Sequence, residues 1–262
     1  MFLEERHEQI LQLLKEHGRV TTKDLAESFQ LSIDSIRRDF SILESKGLLK
    51  RTHGGAIPAR QVSTMPSPDD AQRYGGATPM RNAISQAAVS LLREGDTVFI
   101  GGAGIQYGML PYIPQEMPLT VVTHSLKIAD TLRGRSHIQT YLCGGEIKHT
   151  GNITDSLAED FIRQFTLDVC FLSGGAVSAE GVSTATPAAA HFHRTASERA
   201  HRVIALSPHE NLGAKAFANI IPIEKVDLVI TDEEAPEDEI RRIEDRGVKV
   251  IVARLDENGS LP

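Results

Sequence analysis

The chain has 262 residues, 40% of them hydrophobic and 24% charged, with a formal net charge of −7 at pH 7. That length suggests two domains rather than one, and the composition suits packed cores rather than a disordered or fibrous chain. No apolar run approaches the ~20 residues needed to span a bilayer, two Cys are too few for a disulfide framework, and no signal-peptide pattern opens the chain, so a reduced, cytoplasmic setting is expected.

Leu3, Ile10, Leu13 and Leu14 mark an amphipathic first helix. Thr21 or Thr22 can cap a second helix, TKDLAESF, with Leu25, Ala26 and Phe29 turned inward. Only Gln30 to Ser32 separate it from a third helix, for which Ser32 is a good N-cap. In that helix Ile33, Ile36, Phe40 and Leu43 recur at spacings of three and four and form one buried stripe. Ser35, Arg37, Arg38 and Ser41 fall off the stripe and face outward. Gly47 stops the helix, and Leu48-Leu49 open a short extended segment that carries Lys50, Arg51 and His53 before the Gly54-Gly55 turn.

Two helices across a short turn, then a basic hairpin, predict a winged helix-turn-helix whose third helix enters the major groove. Arg37 and Arg38, beside Ser35, suit base edges, because a guanidinium fork matches guanine. Lys50 and Arg51 suit phosphate. Thr22, Ser32 and His53 complete the DNA-contact candidates. The charge agrees once it is divided. Residues 33–60 hold six Lys+Arg against three Asp+Glu, whereas residues 61–262 hold 18 against 26. The positive charge is local, and the acidic remainder would help orient docking.

Residues 58–80 carry Pro58, Pro66, Pro68, Pro79 and the Gly75-Gly76 pair with no sustained period, so they are expected to be a linker. From 81 to 254 the runs DTVFI, LTVVT, IQTYLC, DVCFLS, HRVIALS, VDLVIT and VKVIVA alternate with helical runs such as ISQAAVSLLREG and SLKIADTLRG. This predicts an α/β domain, an open, mostly parallel sheet with helices on both faces. The expected organisation is a DNA-binding domain at 1–57, a linker at 58–80, an effector-binding and oligomerisation domain at 81–254, and a tail at 255–262. Cys143 and Cys170 fall in buried strands and are expected to be inert.

Three predicted strands run into glycine pairs, Gly101-Gly102, Gly144-Gly145 and Gly174-Gly175, which points to one ligand crevice at the carboxyl ends of the strands. A nicotinamide-binding, redox-sensing repressor is the competing α/β possibility. Against it, GGAGIQYG has Tyr107 where a dinucleotide fingerprint needs its last glycine, and the second strand ends in Thr123-His124-Ser125 without an acid for a ribose.

The head residues in register, Arg6, Ile10, Gly18, Leu25, Leu31-Ser32, Ser35-Ile36-Arg37-Arg38-Asp39-Phe40, Leu43, Gly47, Arg51 and His53-Gly54-Gly55-Ala56, resemble the amino-terminal signature of the DeoR family of bacterial transcriptional regulators. Ser35 and Phe40 stand where that family usually has Thr and Leu. The later stretches VVTHSL, GGEI, FLSGGA, GVSTATP and LVITDE resemble its effector domain, which is similar in fold to ribose-5-phosphate isomerase and the CoA transferases. The resemblance implies a repressor that binds double-stranded operator DNA as a homo-oligomer, a dimer or tetramer. It also implies control by a small effector, usually a phosphorylated sugar.

The chain departs from the family where the ligand should sit. The usual Asp-Ser-Gly-Thr-Thr-Thr loop reads Gly101-Gly102-Ala103-Gly104-Ile105-Gln106, leaving backbone N–H groups rather than hydroxyls for an anion. The family's Asn before Ser125 is His124, an acid expected after Gly174 is Gly175, and its Lys in the next loop is Asn211. Without the carboxylate and the Lys, isomerase chemistry is not expected. A stand-alone metabolite sensor or isomerase-like enzyme, with a head domain for protein contacts, is the alternative. His124, His191 or His193, and His209 are candidates to re-line the crevice for another anion. The His-x-His spacing puts His191 and His193 on different helix faces, so no metal is expected; no cofactor is expected either.

Overall fold

The computed structural model describes residues 3–46, 48–52, 54–58, 73–75, 78–173 and 175–254. The chain divides into two compact units, Met1–Gln61 and Val62–Pro262.

In the first unit α1 (Leu3–His17) is followed by β1 (Val20–Thr21), α2 (Thr22–Phe29), α3 (Ile33–Ser45), β2 (Leu49–Arg51) and β3 (Gly55–Pro58). Thr21, not Thr22, caps α2, its hydroxyl accepting from the Asp24 N–H at 3.1 Å. The helix ends at Gln30, which adopts a left-handed φ of 53° and lets Leu31 bond back to Ala26 at 2.9 Å. The three strands pair antiparallel in the order β1-β3-β2. Gly55 is obligatory there, since a Cβ would stand 2.0 Å from the Val20 carbonyl oxygen. Ile10, Leu14, Leu25, Ile36, Phe40, Leu43 and Leu49 make the core.

Two expected stripe residues lie outside it. Ile33 is 45% exposed and Leu3 47%. Ile33 is the first residue of α3, and the buried positions of that helix are Ile36, Asp39, Phe40 and Leu43. A carboxylate, not an isoleucine, completes the inward face. Gly47, the expected stop, lies outside the described residues.

The second unit holds α4 (Pro79–Val89), β4 (Thr97–Phe99), α5 (Gly104–Met109), β5 (Leu119–Thr123), α6 (Leu126–Leu132), β6 (Ile138–Leu142), α7 (Ser156–Ile162) and β7 (Leu167–Leu172). It continues with β8 (Ala176–Ser178), β9 (Gly181–Thr184), α8 (Pro187–Glu198), β10 (Ala200–Leu206), β11 (Ala218–Pro222), β12 (Leu228–Asp232), α9 (Glu237–Glu244) and β13 (Lys249–Ala253). Seven strands form one sheet in the order β13-β12-β10-β7-β4-β5-β6, and every pairing in it is parallel. These are the seven apolar runs of the sequence. Alternate residues feed two cores. Phe99, Cys170, Leu172 and Val229 pack on one face, and Val98, Ile100, Phe171 and Ile230 on the other. Burial on both faces is why these strands read as continuous apolar runs.

The small antiparallel sheet β11-β9-β8 has no counterpart in the sequence-based expectation. Its strands are three to five residues long and too short to show a period. The expected boundaries shift as well. β3 runs to Pro58, α4 begins at Pro79, and Arg73, placed in the linker by composition, is 8% exposed and bonds to the Thr150 carbonyl at 2.9 Å.

Candidate functional site

The candidate nucleic-acid interface is built on α3. Ser32 caps it, accepting from the Ser35 N–H at 3.1 Å, with the two hydroxyls 2.9 Å apart. This fixes both serines at the start of the helix, where side chains of a recognition helix reach base edges. Arg37 and Arg38 are exposed one turn further on. Arg37 meets Asp34 at 3.3 Å with both side chains well exposed, a contact worth little in water and easily exchanged for DNA. Arg51 is steered onto α3. Its guanidinium donates to Ser41 Oγ at 2.7 Å and its backbone N–H to the Glu44 carboxylate at 2.8 Å. Lys50 is exposed on the same strand. Thr22 is 9% exposed, and its backbone N–H donates to the Gly54 carbonyl at 2.8 Å. It ties α2 to the turn of the wing and presents little surface to a phosphate. His53 lies outside the described residues.

The outward aim of the arginines depends on the next residue. Asp39 receives Arg6 Nε at 2.6 Å, Arg6 Nη2 at 2.9 Å and His7 Nε2 at 3.2 Å. Burial pushes the Asp39 carboxyl up, but the hydrogen bonds from Arg6 and His7 outweigh it and hold it below its usual range. A buried carboxylate needs such partners. The helical spacing Ile36, Asp39, Phe40, Leu43 is the signal that could have placed Asp39 inside and called for a cation on α1.

In the second unit, β4 sits where the strand order reverses. β5 and β6 extend to one side and β7, β10, β12 and β13 to the other. Open α/β sheets bind ligands outside the carboxyl ends at such a point. Here the protein's own side chains come close to the loop after β4. A Cβ on Gly101 would stand 2.9 Å from Gln106 Oε1 and 3.0 Å from His124 Cε1, and one on Gly102 would stand 2.1 Å from Asn152 Oδ1. Gln106 is 1% exposed. It donates to the Phe171 carbonyl at 2.6 Å and accepts from the Ala103 N–H at 3.2 Å, which ties β7 to the loop after β4.

The other expected crevice residues divide. Gly104 and Ile105 open α5, a helix of six residues. Ser125 is fully buried and caps α6. Gly145 holds φ +142°, with Asp155 2.2 Å from where its Cβ would be, whereas Gly144 has open space around it. Gly175 is exposed beside Ala216, and Asn211 is half-buried in the short turn His209–Asn211. Gly174 lies outside the described residues.

The histidines do not assemble into one pocket. His124 is 1% exposed inside the core. It stacks on Phe99 at 5.5 Å and meets Phe192 at 4.9 Å and His193 at 5.1 Å. Burial, then the nearby His193 and Arg73, keeps His124 well below the usual histidine range, and burial also lowers His193. The His193 Nδ1–H donates to the Ala189 carbonyl at 2.7 Å. Neutral imidazoles therefore serve as aromatic packing here. His191 points away from this cluster, is exposed, and meets Glu159 of α7 at 3.1 Å. His209 sits after β10 and bonds the fully buried Asp232 at 2.8 Å. The described residues hold no group of three His, Cys, Asp or Glu placed for a metal.

A winged helix-turn-helix with two outward arginines, followed by a parallel α/β unit, defines a DNA-binding transcriptional regulator with a carboxy-terminal sensor domain. Residues 6–62 match the DeoR-like helix-turn-helix domain, and residues 77–233 match the DeoR C terminal sensor domain. The chain belongs to the DeoR family of transcriptional repressors. It is 30% identical to the glycerol-3-phosphate regulon repressor of Escherichia coli K12, over 88% of this chain and 92% of that protein. It is 29% identical to the transcriptional repressor GlcR of Bacillus subtilis strain 168, over 98% and 99%. These relatives are repressors, not enzymes. The ribose 5-phosphate isomerase A of Methanocaldococcus jannaschii superposes with a TM-score of 0.37 at 11% identity, over 50% of this chain and 52% of that one, a likeness too loose to argue from. Among the described residues no helix is long and apolar enough to cross a membrane.

Proposed function

We propose that the protein represses an operon of carbohydrate or related catabolism, acting as a homo-oligomer whose hold on DNA is set by a small anionic metabolite. The observation that carries DNA recognition is the pair of exposed arginines on α3, presented beside a capped helix start and a wing fastened to the same helix. In this reading Arg37 and Arg38 read bases, Ser32 and Ser35 flank them, and Lys50 and Arg51 hold phosphate. Oligomerisation follows from the logic of palindromic operators, in which two half-sites call for two recognition helices. The operon class follows from the named relatives, one of which represses a glycerol-3-phosphate regulon.

The test is selection of binding sites from random DNA by the full chain, followed by affinity measurements across a salt series. Arg37→Ala and Arg38→Ala should each cost about 1–3 kcal/mol and relax preference at particular base positions. Lys50→Ala should weaken all sequences alike and reduce the salt slope by about 1. Wild-type affinity in both arginine variants would overturn the assignment of α3 as the reader.

A further inference from the structure

The segment Arg73–Tyr74 precedes α4 in the chain and is seated across the loop that follows β4. The Arg73 guanidinium donates to the Thr150 carbonyl at 2.9 Å, in the turn that the Gly151 N–H closes on the Lys148 carbonyl at 2.8 Å. The Tyr74 hydroxyl donates to the Gly102 carbonyl at 3.1 Å, and its ring stands 4.8 Å from that of Tyr107 on α5. These contacts tie one short stretch of chain to the loops after β4 and β6 and to α5.

Gly104 makes the seat. It opens α5 without a positive φ, so its backbone does not call for glycine. A Cβ there would stand 2.3 Å from the Arg73 carbonyl oxygen and 3.4 Å from its carbon. Apart from its own helix and chain neighbours, it would meet nothing else within 4 Å among the described residues. The missing side chain is therefore room for this segment alone. The attachment is slender. Arg73 is buried, but Tyr74 is half-buried and Gly75 exposed, and neither Arg73 nor Tyr74 joins the two apolar cores of the sheet. A surface segment held by a few polar contacts opens at far lower free energy than the strands beneath it.

We propose that Arg73–Tyr74 is a strap with two states, seated and released, and that its seating is coupled to DNA binding. The chain passes from the unit that ends at Gln61 to the body of the sensor domain through this stretch, so the strap decides where the sensor domain hands the chain on. Seated, it fixes that point and removes freedom that DNA binding would otherwise have to remove, so the seated state holds DNA more tightly. Coupling is reciprocal, so DNA favours the seat by the same factor. The strap rests on the loop after β4, where the strand order reverses, and a change in that loop shifts the seat as well. The proposal rests on DNA binding by α3 and on no particular effector.

The experiment uses the full chain. Trypsin cleavage after Arg73 reports the strap, and cleavage after Arg133, whose side chain is 79% exposed, is the internal reference. Gly104→Ala sets a methyl against the Arg73 carbonyl, and Tyr74→Phe removes the bond to Gly102 while keeping the ring. Both should speed cleavage at Arg73. Both should weaken binding to a selected DNA site, Gly104→Ala by about fivefold or more. The double variant should bind no worse than Gly104→Ala alone, because both changes act through one released state. In the wild type, that DNA should slow cleavage at Arg73 relative to Arg133. Fast cleavage in the variants with wild-type DNA affinity would overturn the coupling and leave the DNA-binding assignment intact. Cleavage in the wild type as fast as in the variants, or additive losses in the double variant, would overturn the strap itself. A wild type that selects no DNA site would overturn the reading of α3 and the coupling with it.

Discussion

Arg6 and Asp39 join α1 to α3 through a two-pronged ion pair, at 2.6 and 2.9 Å, with His7 closing the carboxylate at 3.2 Å. Asp39 follows Arg37-Arg38 directly in the chain, yet its side chain is 3% exposed while theirs face solvent. The pair therefore sets the rotation of α3. Asp39→Ala leaves Arg6 without its partner, and breaking such a pair costs about 3–5 kcal/mol. Chemical denaturation of the full chain should show an early transition for this unit, with DNA binding lost. A single unshifted transition would mean the pair is incidental.

Ile33 is the exposed apolar residue at the head of the recognition helix, 45% exposed and absent from the core. With α3 in the major groove, Ile33 would meet a thymine methyl beside Ser32 and Ser35. Replacing thymines by uracils one at a time in a selected site should reveal one position where the wild type loses about 0.8 kcal/mol, the worth of one buried methyl. Ile33→Ala should be indifferent to that replacement. If no thymine is sensitive, the side chain has another purpose.

His209 predicts a pH dependence of the sensor domain. Its hydrogen bond to Asp232 raises it above the usual histidine range against burial, with Glu210 and Glu234 adding to the rise. Asp232 is pushed up by burial but held below its usual range by the same contact, so it keeps its charge throughout this window. A raised histidine contributes stability that is complete below the unfolded value of about 6.5 and is lost as the pH climbs through the folded value. Melting temperature should fall from pH 6.5 to pH 9 in the wild type and flatten in His209→Gln. The buried His124 and His193 act on the other side of the scale. Both are depressed, so their contribution is present above about 6.5 and is lost toward acid. Identical slopes in wild type and His209→Gln would exclude the Asp232 pair as the source.

Burial pushes the Cys143 thiol up to about 12 and Cys170 up further. Both are free and buried. A disulfide exchange reagent at pH 8 should find no reactive thiol in the folded protein and two after unfolding. Rapid modification of the native chain would show that a core opens readily.

Much of this protein is local and therefore legible in one dimension. The seven strands of the main sheet announce themselves because both faces are buried, and Ser32 and the helical spacing after it mark α3 because a cap and a stripe act within a turn or two. The outward-facing arginines of α3 follow from the same short-range rule. Long-range packing decided the rest. Asp39 became a structural anion only because Arg6, 33 residues away, reaches it. His124 became an aromatic core residue because Phe99, Phe192 and His193 converge on it from other elements. Gln106 became a buried tie between the loop after β4 and β7 by reaching the Phe171 carbonyl 65 residues on. A side chain's solvation and its partners are set by whatever the fold brings beside it, so the sequence determined the helices and the long strands, and tertiary structure decided the short antiparallel sheet and the chemistry between elements.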